Sequence, residues 1–285
     1  MRGVAIPLIR LRGLRYRYGG AGADALDGLD LDVEAGEFLV VVGRNGSGKS
    51  TLARLLGGLD RPTAAGEAIV AGHDITTPDG RLAARRDVGV LFQNPENQLV
   101  GATVEEDVAF GLENLALPQR EIRDRVDGML TAFGLDDLRT RQPHLLSGGQ
   151  KQRTALAGVL AIPRLALVLD EPTAMLDPAG RRDVLAAVSG QWRDGLTIVY
   201  VTQEMDEVAL GTRVLAVDAG RAIFSGTPAE LFGDTAAVER LGLGLPPAAE
   251  VAVALAELGR PLRNVPLSAD ELVGELSDAQ AGDAR

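Results

Sequence analysis

Apolar and polar residues alternate in the first part of the chain, and the part that follows contains continuous apolar runs. Tyr16 and Tyr18 alternate with arginines, and leucines punctuate the acidic stretch Leu26–Val33, a pattern typical of antiparallel strands. Phe38–Val42 is a continuous apolar run that ends in a glycine-rich loop, and leucines then recur at helical spacing over residues 52–59. The pattern predicts an antiparallel β layer, followed by a buried strand, a loop and a helix.

The middle of the chain has helical spacing from about residue 93 to residue 158. Buried-strand patterns return at residues 165–169 and 196–201, with a helical pattern between them, and a hairpin pattern follows at residues 214–224. The sequence therefore predicts an α/β domain over residues 1–233, in which a helical subdomain is inserted between strands of a parallel sheet.

Residues 234–285 are predicted to form a short C-terminal appendage. Its first helix carries apolar residues at helical spacing, and its second begins at Ser268, which precedes Glu271 by three positions as in a capping box. Amphipathicity alone leaves open whether the first helix forms an interface or covers the core. We expect residues 279–285 to be a frayed tail. The apolar residues of the first helix are Val251, Leu255 and Leu258.

Composition narrows the classes of protein that this chain can represent. Hydrophobic residues make up 46% and charged residues 24%, which is typical of globular proteins. The net charge of −11 argues against binding of nucleic acid or anionic lipid by bulk charge. The absence of cysteine excludes disulfides, thiolate metal sites and a cysteine nucleophile. The longest apolar runs fall short of the roughly 18 residues that a membrane span needs, and no secretory signal is evident, so we expect a cytosolic location.

Residues 43–50 read Gly-Arg-Asn-Gly-Ser-Gly-Lys-Ser and match the phosphate-loop pattern G-x-x-x-x-G-K-[ST] between a predicted strand and a predicted helix. In such a loop, backbone N–H groups and the helix N-terminus surround phosphates. Lys49 supplies a compact positive charge and Ser50 a hydroxyl for Mg²⁺. An ordinary glycine turn is the alternative, but it does not require this flanking strand and helix. The predicted phosphate-binding residues are Gly43, Asn45, Gly46, Ser47, Gly48, Lys49 and Ser50.

Two carboxylates follow the apolar run at residues 165–169. Asp170 and Glu171 end a predicted buried strand, where uncompensated charge is costly. Asp170 is suited to hold Mg²⁺ through water, and Glu171 to orient or deprotonate an attacking water. The alternative is that the pair only caps the next helix.

A third motif, Leu146-Ser-Gly-Gly-Gln150, together with the phosphate loop and Asp170-Glu171, resembles the signature of ATP-binding cassette (ABC) ATPases over residues 10–230. The resemblance implies a P-loop ATP-binding cassette that takes ATP and Mg²⁺. It also implies that Ser147, Gly148, Gly149 and Gln150 meet the γ-phosphate bound by a second ATPase subunit, so that two composite sites form between two cassettes.

Other positions match this family one by one. Tyr18 resembles the aromatic residue that stacks on adenine, although an edge-strand tyrosine is the alternative. Thr51 extends the phosphate loop, Gln93 resembles the glutamine that links metal and water to the membrane partner, and Asp177 resembles the aspartate that crosses the dimer interface. Where the family usually has a histidine, this chain has Gln203, which can donate a hydrogen bond but cannot carry imidazolium charge.

The replacement of histidine by Gln203 predicts slower hydrolysis, or hydrolysis that depends on a second, different ATPase. The chain has two histidines, His73 and His144, and we expect both to be exposed loop residues without a catalytic role.

Four longer segments resemble the energy-coupling factor (ECF) group of ABC ATPases: residues 92–98, 103–111, 143–147 and 173–178. The resemblance implies an ATPase subunit that energises uptake of a vitamin or a transition-metal ion. It further implies a homodimer or heterodimer of ATPases paired through the C-terminal appendage, an integral membrane coupling subunit and a substrate-binding membrane subunit. The chain would lie on the cytoplasmic face of the cell membrane and be held there by protein partners, without inserting into lipid.

Two other classes stay open at this stage. One is a soluble ABC ATPase that acts on DNA or ribosomes, against which the acidic charge and the short insertion count. The other is a nucleotide-sensing module with little turnover, which Gln203 keeps open and the intact Glu171 disfavours.

Overall fold

The computed structural model describes residues 6–20, 22–115 and 117–283. Its strands are β1 (Ile9–Tyr16), β2 (Leu26–Val33), β3 (Phe38–Val42), β4 (Glu67–Val70), β5 (His73–Asp74), β6 (Val88–Leu91), β7 (Ala166–Asp170), β8 (Thr197–Val201), β9 (Arg213–Asp218) and β10 (Arg221–Gly226). Its α-helices are α1 (Lys49–Leu56), α2 (Pro78–Asp87), α3 (Val104–Glu113), α4 (Gln119–Ala132), α5 (Gly148–Ala161), α6 (Pro178–Arg193), α7 (Pro228–Gly233), α8 (Thr235–Arg240), α9 (Pro247–Glu257) and α10 (Ala269–Asp283).

The strands form two sheets. The first has the order β2-β1-β4-β5 and is antiparallel, which confirms the predicted antiparallel layer. The second has the order β10-β9-β3-β8-β7-β6, and all of its neighbours are parallel except the β9-β10 hairpin. The α/β architecture predicted from the sequence is therefore present.

Both faces of the six-stranded sheet are covered, because alternate residues of its central strands enter two separate cores. Phe38, Val40 and Val42 of β3 pack into the core beneath α3, α4 and α5, whereas Leu39 and Val41 pack into the core that includes α1 and the antiparallel sheet. Every residue of β3, β7 and β8 is buried, as expected for parallel strands covered on both sides. The continuous apolar runs in the sequence reflect this double coverage.

The helical subdomain begins later than the sequence pattern predicts. Helical geometry starts at Val104 of α3, and the segment before it contains only the 3₁₀ turn Pro95–Asn97. Asp107 of α3 accepts backbone hydrogen bonds from Val100 (2.6 Å) and Gly101 (2.8 Å), which ties this segment to the helix in a non-helical conformation. The predicted boundary at residue 93 is therefore about ten residues too early as a helix start.

The C-terminal appendage packs its small side chains inward. Ala248, Ala249 and Ala252 of α9 are buried, whereas Val251 is 43% exposed and Leu258 is 76% exposed. The apolar residues that mark this helix in the sequence thus do not all cover the core of the same chain. The exposed residues are consistent with α9 forming an interface with another subunit. The pairing of two appendages stays a prediction.

The start and end of α10 differ in part from the prediction. Ser268 accepts a hydrogen bond from the Glu271 N–H at 3.2 Å, as in a capping box, but the Glu271 carboxylate accepts from Leu267 N instead of Ser268 N. The helix extends to Asp283, which includes most of the segment expected to be frayed; residues 284 and 285 lie outside the described residues. Among the helices described, none is both long and apolar enough to cross a membrane.

Candidate functional site

The loop between β3 and α1 requires glycine at both of its ends. Gly43 has a φ of 146° and a side chain there would overlap the Val217 carbonyl oxygen. Gly48 has a φ of 108°, and a Cβ atom on it would lie 2.5 Å from the carbonyl oxygen of Ala25. The left-handed backbone and the close approach both exclude larger residues, so the motif glycines have a structural basis here.

Lys49 begins α1, and its side chain reaches back into this loop. Its side chain is buried, and Nζ donates hydrogen bonds to the carbonyl oxygens of Gly43 (2.7 Å) and Arg44 (3.0 Å). Burial lowers the pKa of the Lys49 ammonium, and the carboxylates of Glu171 and Asp170 act in the opposite direction. The loop therefore holds a positive charge at its centre with two carboxylates close enough to affect it.

Glu171 occupies the centre of the candidate site. Its Oε2 accepts a hydrogen bond from Gln93 Nε2 at 2.7 Å, and its Oε1 accepts one from Gln203 Nε2. These three residues follow β6, β7 and β8 respectively, so three adjacent parallel strands deliver them to one edge of the sheet. The structure brings together the three residues that the sequence predicted for water activation, metal coupling and γ-phosphate contact.

The backbone of Glu171 has an uncommon conformation. Its φ is 50°, in the left-handed region that few non-glycine residues adopt, and its N–H donates to the Val201 carbonyl oxygen at 2.9 Å. A cleft of about 440 Å³ is lined in part by two neighbours of Glu171, its hydrogen-bond partner Gln93 and its chain neighbour Asp170. The residues that line this cleft are Ser50, Arg54, Phe92, Gln93, Asn94, Asn97 and Asp170.

Tyr18 lies next to the first turn of α1. Its hydroxyl is 3.1 Å from Thr51 Oγ1, and its ring meets the Tyr16 ring edge to face at a centroid distance of 4.9 Å. Strand β1 ends at Tyr16, so Tyr18 is not an edge-strand residue; its side chain is 43% exposed, whereas Tyr16 packs against the core. This placement favours the adenine-stacking role, which stays a prediction.

The signature motif and Asp177 make local contacts in this chain. Ser147 caps α5 by accepting a hydrogen bond from Gln150 N (3.3 Å), and the Gln150 side chain accepts one from Ser147 N (2.9 Å). Asp177 caps α6 through Gly180 N at 2.9 Å. Among the hydrogen bonds of the described ranges, none joins the signature to the phosphate loop of the same chain. The signature motif and the phosphate loop of one chain are therefore not hydrogen-bonded to each other in the described structure.

One ion pair near the site was not predicted from the sequence. Lys151, in the first turns of α5, forms an ion pair with Glu96 of the 3₁₀ turn that follows Gln93. The rarity of lysine was the available signal, since only Lys49 and Lys151 occur among 29 basic residues. The spacing of the two residues along the chain gave no indication of their pairing.

The expectation for one histidine is wrong. His73 lies in β5 and is half-buried, and its Nε2 is 2.8 Å from Asp87 Oδ2, so it is a paired strand residue and not an exposed loop residue. His144 is exposed, in the 3₁₀ turn Pro143–Leu145.

Known proteins resemble this chain over most of its length. The family model described as ABC transporter matches residues 26–174. The chain is 51% identical over 279 residues to the energy-coupling factor transporter ATP-binding protein EcfA1 of Symbiobacterium thermophilum, covering 95% of this chain and 96% of the relative. It is 44% identical to the protein of the same name from Clostridium perfringens, covering 88% and 90% of the two chains.

The chain belongs to the ABC transporter family, among the ECF ATP-binding proteins.

Solved structures of related cassettes have the same fold. CbiO1 of Clostridium perfringens, described as part of the ABC transporter complex CbiONQ, superposes with a TM-score of 0.72 at 34% identity, covering 89% of this chain and 97% of that chain. The cassette MJ0796, solved as a dimer in a post-hydrolysis state with ADP and Pi, gives a TM-score of 0.72 at 28% identity, covering 77% and 98%.

The polar groups of the ABC cassette site fit ATP and Mg²⁺. Ser47 Oγ and Asp170 Oδ1 are buried and have no hydrogen-bond partner among the described residues, although buried polar atoms normally have one. Burial raises the pKa of the Asp170 carboxyl, while a hydrogen bond with Ser50 acts to lower it. The Ser50 hydroxyl and the Asp170 carboxylate are hard oxygen ligands of the kind that suits Mg²⁺. These oxygen atoms beside the N-terminus of α1 suit a nucleotide and its metal.

We expect Lys49→Ala to weaken nucleotide binding. The substitution removes the ammonium that lies among the loop carbonyls, and charge-assisted hydrogen bonds contribute about 1.5 to 3 kcal/mol, so the Kd for MgATP should rise by about 10- to 100-fold. Isothermal titration of the purified chain measures this. Lys151→Ala, which removes the other lysine, is the matched control and should bind as wild type does. Unchanged affinity in the Lys49 variant would contradict the assignment of the phosphate site.

Proposed function

We propose that this ABC cassette is the subunit that binds and hydrolyses ATP to energise uptake of a micronutrient, a vitamin or a transition-metal ion, by an ECF-type transporter. The observation that carries the proposal is the position of Glu171, between Gln93 and Gln203 and beside the phosphate loop. The names and the coverage of the relatives support the transporter class.

The residues that would hold the nucleotide come from three places. The backbone of residues 43–48 and the N-terminus of α1 would surround the phosphates, with Lys49 as the counter-charge. Tyr18 would offer its ring to adenine. Ser50, Asp170 and Gln93 would hold Mg²⁺, which when bound neutralises charge on the phosphate oxygens.

Hydrolysis requires a group that takes a proton from the attacking water, and Glu171 would be that group. Its two carboxylate oxygens are oriented by the amides of Gln93 and Gln203, so the side chain has a defined position before the reaction. Glu171 would accept the water proton at a carboxylate oxygen, and the Gln203 amide would donate a hydrogen bond to the γ-phosphate. Because Gln93 contacts Glu171 directly, movement of the segment after β6 would change the position of the base.

The partner that completes the site would be a second ATPase. The side chain of Ser147 at the start of α5 is exposed, and Met175, 48% exposed, lies beside Gly148. Residues 147–150 and Asp177 would therefore be available to a second cassette. The exposed Val251 and Leu258 of the appendage would add a second contact between the two ATPases.

The membrane partner would dock near Gln93 on the helical subdomain. Val100 is 63%, Phe110 53% and Leu145 55% exposed, and such apolar side chains suit a protein partner. The anionic net charge disfavours direct attachment to anionic lipid, so protein contacts would hold the chain at the cytoplasmic face of the membrane.

The transporter assignment is tested by purifying the tagged chain from its native membranes. We expect integral membrane proteins and an ATPase subunit to copurify in fixed ratios, as identified by mass spectrometry. Phe110→Ser should lose the membrane proteins, whereas Leu82→Ser, which changes a similarly exposed apolar residue on α2, should retain them. Copurification with ribosomal or DNA-associated proteins instead would favour the soluble ABC ATPase.

We expect Glu171→Gln to trap a closed, ATP-bound dimer. The substitution keeps the shape of the side chain and removes its ability to accept the water proton, and loss of a general base typically lowers the rate by about 10² to 10⁴-fold. Phosphate release and size-exclusion chromatography with MgATP measure the two effects. Turnover near the wild-type rate would exclude Glu171 as the base.

We expect Gln203→His to raise the rate of hydrolysis. Negative charge spreads over the γ-phosphoryl oxygens in the transition state, and a neutral amide donor stabilises it less than a donor that can become cationic. The comparison is made with the chain alone and in the complete transporter, and Gln203→Ala is the control that removes the donor. The interpretation fails if histidine gives no gain in either setting, or if the alanine variant hydrolyses ATP as fast as wild type.

A further inference from the structure

A buried carboxylate lies behind the candidate catalytic pair. Glu207, in the 3₁₀ turn Met205–Leu210 after β8, has a fully buried side chain. Its Oε1 accepts hydrogen bonds from Thr173 Oγ1 (2.6 Å) and Arg181 Nε (2.8 Å), and its Oε2 accepts them from Tyr200 OH (2.9 Å) and Thr202 Oγ1 (2.7 Å). Four hydrogen bonds fill the four acceptor positions of a carboxylate.

Two of these donors belong to the loops that carry the site. Thr173 follows Glu171 by two residues, and Thr202 immediately precedes Gln203. Thr202 also accepts a hydrogen bond from Glu204 N at 3.0 Å, which fixes the backbone on the far side of Gln203. Glu207 therefore connects the loop after β7 to the loop after β8.

The other two donors fix Glu207 itself. Arg181 of α6 also contacts Glu204 and Asp206, so one guanidinium on α6 pairs with all three carboxylates of this segment. Burial and the Glu207 carboxylate raise the pKa of Tyr200 well above its usual value, so this hydroxyl stays protonated and remains a donor. A buried acceptor with all of its partners present is rigid, and removal of one partner is costly.

We propose that Glu207 is a positioning residue for hydrolysis: by joining Thr173 to Thr202, it holds the Glu171 carboxylate and the Gln203 amide at hydrogen-bonding distance. The left-handed backbone at Glu171 makes such support necessary, because strained conformations persist only where the surroundings determine them. Glu207 itself contacts neither Glu171 nor Gln203 through a hydrogen bond in the described structure; it acts through the two threonines.

The test uses the full chain in the complete transporter, and it rests on the proposed ATPase function. Thr202→Val removes one link to Glu207 while retaining volume. We expect kcat to fall by about 10-fold or more with KM for MgATP unchanged, since misplacement of a reacting group by about 1 Å can lower a rate by about 10²-fold. Thr197→Val is the matched control: Thr197 is equally buried, at the opposite end of β8, and accepts one hydrogen bond from Gly36 N. It should keep kcat.

A double-mutant cycle separates positioning from loss of stability. If Thr202 acts by placing Gln203, Thr202→Val should lower kcat much less in a Gln203→Ala background than in wild type. Glu207→Gln replaces one acceptor oxygen with an NH₂ group that faces other hydrogen-bond donors. If this variant folds, it should lower kcat at least as much as Thr202→Val does. Equal effects of the Thr197 and Thr202 variants, a rise in KM in place of a fall in kcat, or additive effects in the cycle would overturn the inference. A wild-type complex that does not hydrolyse MgATP would instead overturn the proposed function, and this inference with it.

Discussion

The parallel pairing of β3, β8, β7 and β6 is the constraint on which the rest of the structure depends. Because these strands run in the same direction, the loops after them emerge at one edge of the sheet. The phosphate loop, Gln93, Glu171 and Gln203 are far apart in sequence, and each follows one of these strands. A shift of any strand by one residue would send its buried side chains to the other core and displace its loop, so packing of the sheet and geometry of the site are fixed together.

Much of this arrangement was predictable, because the strongest signals in the sequence come from the same physical cause. A strand covered on both faces must be apolar throughout, and residues 38–42, 165–169 and 196–201 are recognisable for that reason. The glycines at positions 43 and 48 are recognisable because only glycine fits their backbone and neighbours. The proximity of the three strand ends then follows from the parallel topology.

Other parts were not predictable from local patterns. Strands β4, β5 and β6 have four residues or fewer, too short for a period to be recognised, and pairing with longer strands stabilises them. The segment after Gln93 lies within the region predicted to be helical, but the Asp107 carboxylate of α3 accepts hydrogen bonds from two of its backbone N–H groups and holds it outside the α-helix. Glu207 gave no signal at all, because its partners come from three different segments, the loop after β7, helix α6 and the end of β8, and only the folded chain brings them together.

The chain has only two lysines, and each has a defined environment. Lys49 is buried among backbone carbonyls at the centre of the phosphate loop, and Lys151 is paired with a glutamate between the segment after Gln93 and the signature helix. An amine-selective reagent therefore has only two ε-amino groups to modify, and each lies in a motif that nucleotide and partner subunits would cover. Acylation of the two lysines would report separately on the phosphate loop and on the start of the signature helix, without a label introduced into the sequence.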